Sequence, residues 1–193
     1  MEQDANIVDR VRRGLGQRSL VLVGLMGCGK SSIGKRLATR LSLPFVDADE
    51  EIERVAQKSI SEIFADHGEA FFRDREAKVI SRLLANGPQV LATGGGAFIT
   101  PATRENVSDA GLSIWLRAEL PVLMRRVAKR DTRPLLKGGD PEQVMRDLMT
   151  TRYPIYAEAD LTVESRDVPH ESIVSEIVAA LARHPALAQS TLI

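Results

Sequence analysis

The stretch Gly24-Leu25-Met26-Gly27-Cys28-Gly29-Lys30-Ser31 has the residue types and spacing of a phosphate-binding loop, G-x-x-x-x-G-K-[ST]. Glycines let a backbone wrap an anion with its N–H groups turned inward, and a helix starting just beyond adds partial positive charge. In that chemistry Lys30 reaches the β- and γ-phosphates of a nucleoside triphosphate, and the Ser31 hydroxyl ligates Mg²⁺. The expected triphosphate contacts are Gly27, Cys28, Gly29, Lys30, Ser31 and Ser32.

Elements of the right kind flank the loop. Ser19-Leu20-Val21-Leu22-Val23 is an apolar run closed by glycine, which predicts a short buried strand. From Ser32 to Leu41 the residues Ile33, Leu37 and Leu41 recur every fourth position, which predicts a helix. A glycine-rich turn that binds nothing is the alternative, and the strand before it and the helix after it argue against that. Cys28 lies beside the helix start and Lys30, where a thiolate is favoured. A small residue tolerated at a variable loop position is the preferred reading.

Further along, Leu43-Pro44-Phe45-Val46-Asp47-Ala48-Asp49 predicts a second strand ending in two acids. In an open α/β sheet, functional groups gather at the carboxyl ends of strands. Asp47 and Asp49 share a face while the backbone stays extended, and such a pair can hold hydrated Mg²⁺ and accept a hydroxyl proton. Asp is also a good cap for the helix predicted at Glu50-Glu51-Ile52-Glu53. Beside a phosphate loop the functional reading is favoured, more strongly for Asp49.

A helical stretch begins at Ile60-Ser61-Glu62-Ile63-Phe64, with Ser61 as its cap, and Gly68 opens a long helix through Leu84. Arg73 and Arg75 on it read as solvated charges, and spacing alone does not select Arg73. Val90-Leu91-Ala92-Thr93 predicts a third strand running into Gly94-Gly95-Gly96, which reads either as a close approach to a ligand or as a flexible turn. Leu112–Leu116 predicts a fourth strand, and Pro121 opens a helix. Residues 129–141 are basic and rich in Gly and Pro, the composition of a lid that closes over phosphates. A solvated charge run would look the same. A helix from Glu142 to Thr151 leads into Arg152-Tyr153-Pro154, Leu161-Thr162-Val163 is the last strand, and Ile173, Ile177 and Leu181 mark a final helix. Five strands alternating with helices predict a parallel sheet covered on both faces.

The whole chain bounds this picture. Its 193 residues suit one α/β domain, with a leader helix within 1–18 carrying Ile7, Val8, Val11 and Leu15. Lys plus Arg (26) equals Asp plus Glu (26), and aromatics make up 4%, so nothing favours a nucleic-acid or anionic-membrane partner. No apolar run approaches a membrane span, and Met1-Glu2-Gln3-Asp4 lacks the order of a secretory signal. One cysteine makes no internal disulfide. A cytoplasmic location is expected.

Together the motifs resemble those of the shikimate kinases, within the nucleoside-monophosphate-kinase-like phosphate-loop proteins. The resemblance runs from about Ser19 to about Val163. It rests on the loop, Asp47-Ala48-Asp49, Phe72-Arg73-Asp74-Arg75-Glu76, Gly94-Gly95-Gly96, Arg133-Pro134-Leu135-Leu136 and Arg152-Tyr153-Pro154-Ile155-Tyr156. It implies a three-layer α/β/α fold with sheet order 2-3-1-4-5 and a mobile lid. It also implies transfer of the γ-phosphoryl of Mg-ATP to the 3-hydroxyl of shikimate by an enzyme working as a monomer. By the same resemblance, Arg73 and Arg152 hold the substrate carboxylate, Asp49 binds ring hydroxyls, and Gly95 and Gly96 line the site. Arg133 reaches the transferring phosphates, and Asp47 acts on Mg²⁺ through water. The chemistry agrees, since a guanidinium fork matches a carboxylate. The rivals are a gluconokinase, an adenylate-kinase-like enzyme and a non-catalytic nucleotide-binding module.

Overall fold

The computed structural model describes residues 2–128 and 140–188. Five parallel strands, β1 (Ser19–Val23), β2 (Phe45–Asp47), β3 (Val90–Ala92), β4 (Gly111–Arg117) and β5 (Leu161–Glu164), form one sheet in the order β2-β3-β1-β4-β5. Every residue of β1 and β3 is buried, which is why they read as continuous apolar runs. Register sets the carboxyl ends level: Leu22 of β1 and Asp47 of β2 both pair with Ala92 of β3.

Three helices, α1 (Glu2–Leu15), α2 (Lys30–Leu41) and α8 (His170–Leu181), pack on one another. Val11 and Leu15 seal α1 onto the core, each contributing roughly 1.5–3 kcal/mol by burial. The helices α3 (Ala48–Ala56), α4 (Ile60–Leu84), α5 (Pro101–Ala110), α6 (Leu120–Val127), α7 (Pro141–Tyr156) and α9 (Pro185–Ala188) complete the described set. A 3-10 turn at Ala97–Ile99 joins α4, α5 and α7. The chain runs from β1 through α2 to one side of the sheet and from β3 through α5 to the other. The loops after β1 and β3 therefore flank the point where the topology switches, the place where such sheets bind ligands.

Several boundaries differ from the sequence reading. The second strand ends at Asp47 and α3 begins at Ala48, so Asp49 is helical and shares no strand face with Asp47. The cap of α4 is Ser59, not Ser61: Ser59 and Glu62 exchange the two bonds of a capping box. Gly68, with φ 77°, breaks the helical path within α4 where the second helix was expected to open. The helix α7 continues through Arg152 to Tyr156 with Pro154 inside its last turns. Residues 97–110, read as nothing regular, hold the 3-10 turn and α5.

Candidate active site

The phosphate loop leaves β1 and delivers its chain into α2 at Lys30. Gly27 (φ 82°) and Gly29 (φ 99°) adopt the left-handed backbone that a side chain would strain. No side chain caps α2 and its first turn holds no acid of its own, so the N–H groups at the positive end of its dipole are left for a ligand. The Lys30 ammonium donates to the carbonyls of Gly24 (2.7 Å) and Leu25 (3.1 Å), folded over the loop it serves. Behind the loop, Ser165 donates to the Cys28 carbonyl (2.7 Å), and Arg126 donates to Ser165 (2.8 Å) and to the Arg166 carbonyl (2.6 Å). This brace couples the loop to the chain leaving β5, and the sequence reading had not singled it out.

Beside Lys30, the Ser31 hydroxyl donates to Asp47 (2.7 Å), whose other oxygen accepts from the Asp49 N–H (3.1 Å) and so caps α3. Asp47 is thus both the cap and the neighbour of the loop serine. A hydroxyl and one carboxylate at the mouth of a phosphate loop fit Mg²⁺, which keeps several waters and takes its other ligands from phosphates.

The three glycines after β3 form the hub of the site. A methyl group on Gly94 would stand 2.7 Å from Asp49 Oδ1 and 2.7 Å from Glu76 Oε1. One on Gly95 would stand 3.3 Å from the Met26 nitrogen of the phosphate loop, and one on Gly96 2.7 Å from Arg73 Cζ. The Gly95 carbonyl accepts from Arg152 Nη1 (3.1 Å) and from the Tyr156 hydroxyl, one turn further along α7. Only residues without side chains let Asp49, Arg73, Arg152 and the loop converge here. The flexible-turn reading of these glycines is therefore unnecessary.

Arg73 is not a solvated charge. Its guanidinium is largely covered, lies 5.1 Å from the Phe72 ring centroid, and pairs with Glu76 (2.6 Å) and Glu69 (3.2 Å). Glu76 is fully buried, with Oε2 on Arg73 and no described partner for Oε1. Burial pushes its carboxyl up to about 6; Arg73 opposes this and the charge of Asp49 adds to it. Asp49 is itself raised above its ordinary value, first by burial and then by Asp47, with Lys30 opposing. A charged helix residue ordinarily faces water, so nothing in the sequence pattern singled out Glu76.

Glu76 gives the first prediction. A carboxyl that binds its proton more tightly when folded adds stability below its unfolded value of 4.5, and that stability is lost as pH rises through about 6. The gap is worth about 2 kcal/mol. The unfolding free energy of the parent relative to Glu76→Gln is expected to fall by about that amount as pH rises across this window. A difference independent of pH would show that Glu76 is not held in this environment.

Residues 26–182 match the family model described as "Shikimate kinase". A shikimate kinase of Rhizobium meliloti (strain 1021) is 56% identical over 180 residues, covering 93% of this chain and 94% of that one. The chain belongs to the shikimate kinase family. A second shikimate kinase, from Bradyrhizobium diazoefficiens, is 58% identical over 170 residues, 88% of this chain and 82% of its own. Among solved structures, a shikimate kinase from Acinetobacter baumannii in complex with shikimate superposes with a TM-score of 0.82 at 36% identity. It covers 86% of this chain and 93% of that one. Shikimate kinase membership sets aside the gluconokinase and adenylate-kinase-like readings.

The Cys28 side chain is buried in the core, and its sulfur would stand 3.1 Å from a methyl group on Gly24. It packs against the base of the loop, as a small residue tolerated there would, and the Lys30 ammonium lies 3.7 Å from its sulfur. Arg133 and most of the expected lid, 129–139, lie outside the described residues. Among the described residues no helix is long and apolar enough to cross a membrane.

Proposed function

We propose that the chain transfers the γ-phosphoryl group of ATP to the 3-hydroxyl of shikimate, with the glycine hub after β3 as the floor of the acceptor site. The observation that carries this reading is the convergence on Gly94-Gly95-Gly96 of two carboxylates, Asp49 and the Arg73-paired Glu76, with two guanidinium groups and the phosphate loop. That set matches a small acid bearing ring hydroxyls, positioned against a triphosphate.

Each residue then has a task. Lys30 exchanges two neutral carbonyls for phosphate oxygens, which form stronger charge-assisted bonds. The loop N–H groups at Gly27, Cys28 and Gly29, with Ser31 and Ser32 at the start of α2, cradle the phosphates. Ser31, and Asp47 through water, would hold Mg²⁺, which would supply charge neutralisation to the transferring group. Arg73 and Arg152 bind the shikimate carboxylate, Arg73 being held ready by Glu76. Tyr156 keeps the Gly95 carbonyl bonded when Arg152 turns to the substrate. Asp49 orients the attacking hydroxyl and accepts its proton. Phosphoryl transfer asks little covalent chemistry of the protein, so positioning and charge do the work.

Arg152 gives the direct test. A lost charge-assisted fork costs roughly 1.5–3 kcal/mol, so Arg152→Ala is expected to weaken shikimate binding about 10- to 150-fold in a calorimetric titration. ATP affinity should stay within about two-fold, because Arg152 touches the hub and not the phosphate loop. Equal losses for both ligands would mean that Arg152 supports the fold and not the carboxylate. For the metal, Asp47→Asn is expected to raise the Mg²⁺ concentration giving half-maximal rate on the order of 10-fold. An unchanged Mg²⁺ titration would remove Asp47 from that role.

A further inference from the structure

Behind the substrate helices, α3 and α4 enclose a groove of about 530 Å³, a size that suits a small organic ligand. At 100° per residue, the groove residues Phe71, Arg75, Lys78 and Arg82 lie roughly opposite Arg73 and Glu76 on α4. The groove therefore lies on the side of α4 away from those two groups, with the Phe72 ring, 5.1 Å from the Arg73 guanidinium, between them. Its floor is the buried trio Ile52, Ile63 and Phe72, a cluster separate from the main core. Among the described residues three large hydrophobic side chains are exposed, and two of them, Val55 and Phe71, line this one groove. Exposed apolar surface gathered in one concavity marks a binding site more often than scattered residues do.

The charges around the groove give the sign of its ligand. The cationic side chains lining it are Lys58, Arg75, Lys78 and Arg82, beside the His67 imidazole, with no carboxylate among them. Lys58 pairs with Asp66 outside the groove. Asp74 is shared by Arg75 (3.8 Å) and Lys78 (2.8 Å), and Glu51 by Arg54 (2.7 Å) and Arg82 (2.7 Å). Three carboxylates, Asp66, Asp74 and Glu51, thus serve the four Lys and Arg side chains that line the groove, and Glu51 is shared with Arg54 as well, so the rim keeps a small positive excess. These pairs are mostly exposed and hold weakly, so a ligand anion can compete for the same cations. Arg75 already lies 4.9 Å from the Phe71 ring centroid, so an aromatic body entering beside Phe71 meets a cation at once.

We propose that this groove is a second binding site, for a small organic anion with an aromatic body, such as an aryl carboxylate or sulfonate. Its occupant fills the thin apolar layer between α3 and α4 and so fixes their spacing. Asp49 lies on α3 and Arg73 on α4, so the groove is coupled to shikimate and not to ATP. The binding stands by itself; the coupling rests on the roles assigned above to Asp49 and Arg73.

The test uses 8-anilinonaphthalene-1-sulfonate with the full chain, followed by its fluorescence in the presence of saturating ATP analogue and shikimate. Saturable binding with a Kd on the order of 10–100 μM is expected, undisplaced by either substrate. Lys78→Glu and Val55→Glu, both at exposed positions, should each weaken it at least 10-fold with kcat unchanged. Absence of saturable binding, displacement by a substrate, or affinity unchanged in both variants would overturn the site. At saturating probe the KM for shikimate should change at least three-fold and that for ATP should not. Intact binding with no such change would overturn the coupling and leave the site standing.

Discussion

Asp49→Asn is expected to lower kcat about 10³-fold, within the 10²–10⁴ range of a lost general base, with the KM for ATP within about two-fold of the parent. Asparagine keeps the size and a hydrogen-bonding oxygen but cannot take a proton. The Asp49 carboxyl is raised above its ordinary value by burial and by Asp47, which makes it a better proton acceptor than an exposed aspartate. It stands against Gly94, in the acceptor site proposed above, and feels the charge of Lys30. Its backbone N–H is already committed to Asp47, so the substitution leaves the cap of α3 intact. Steady-state kinetics with both substrates varied separates the effects. A kcat within ten-fold of the parent would remove Asp49 from proton transfer and leave it a hydroxyl-binding role alone.

Arg133→Ala is expected to cost on the order of 10³-fold or more in turnover, by analogy with arginine fingers that neutralise charge on a transferring phosphoryl group. The physical support lies in the chain before it. Val127 at the end of α6 packs on Gly27, where an added methyl group would meet its Cγ2 at 2.9 Å. Arg133 follows Val127 by six positions in the sequence. The loss should appear in kcat, with shikimate affinity little changed, because the interaction is made in the transition state. A variant with near-parental kcat would take residues 129–141 out of the lid role proposed for them.

Local patterns disclosed the parts of this site that local physics builds. Ser19–Val23 was readable as a strand because both faces are buried, and the loop was readable because phosphate binding demands glycine and lysine at fixed spacing. Ser59-Ile60-Ser61-Glu62 contains the capping-box pattern, so the true cap of α4 was available and Ser61 was the wrong serine to choose. Pro154 suggested an earlier end to α7 than the chain adopts. The helix tolerates it in its last turns, which is what carries Arg152 and Tyr156 onto one carbonyl. Arg73 and Glu76 could not be selected from spacing. Their burial depends on Gly94 and Gly96, which arrive from another strand. The helix α5 was missed because only Thr103 and Val107 are buried on it, too thin a stripe to show a period.

The measurement that bears most directly on the central claim is ADP release in a coupled assay with Mg-ATP, offering shikimate, gluconate and AMP in parallel. Turnover with shikimate alone, abolished by chelating Mg²⁺, is the predicted result. Turnover with gluconate or AMP in preference to shikimate, or none with shikimate while ATP still binds, would contradict the acceptor site assigned to the glycine hub.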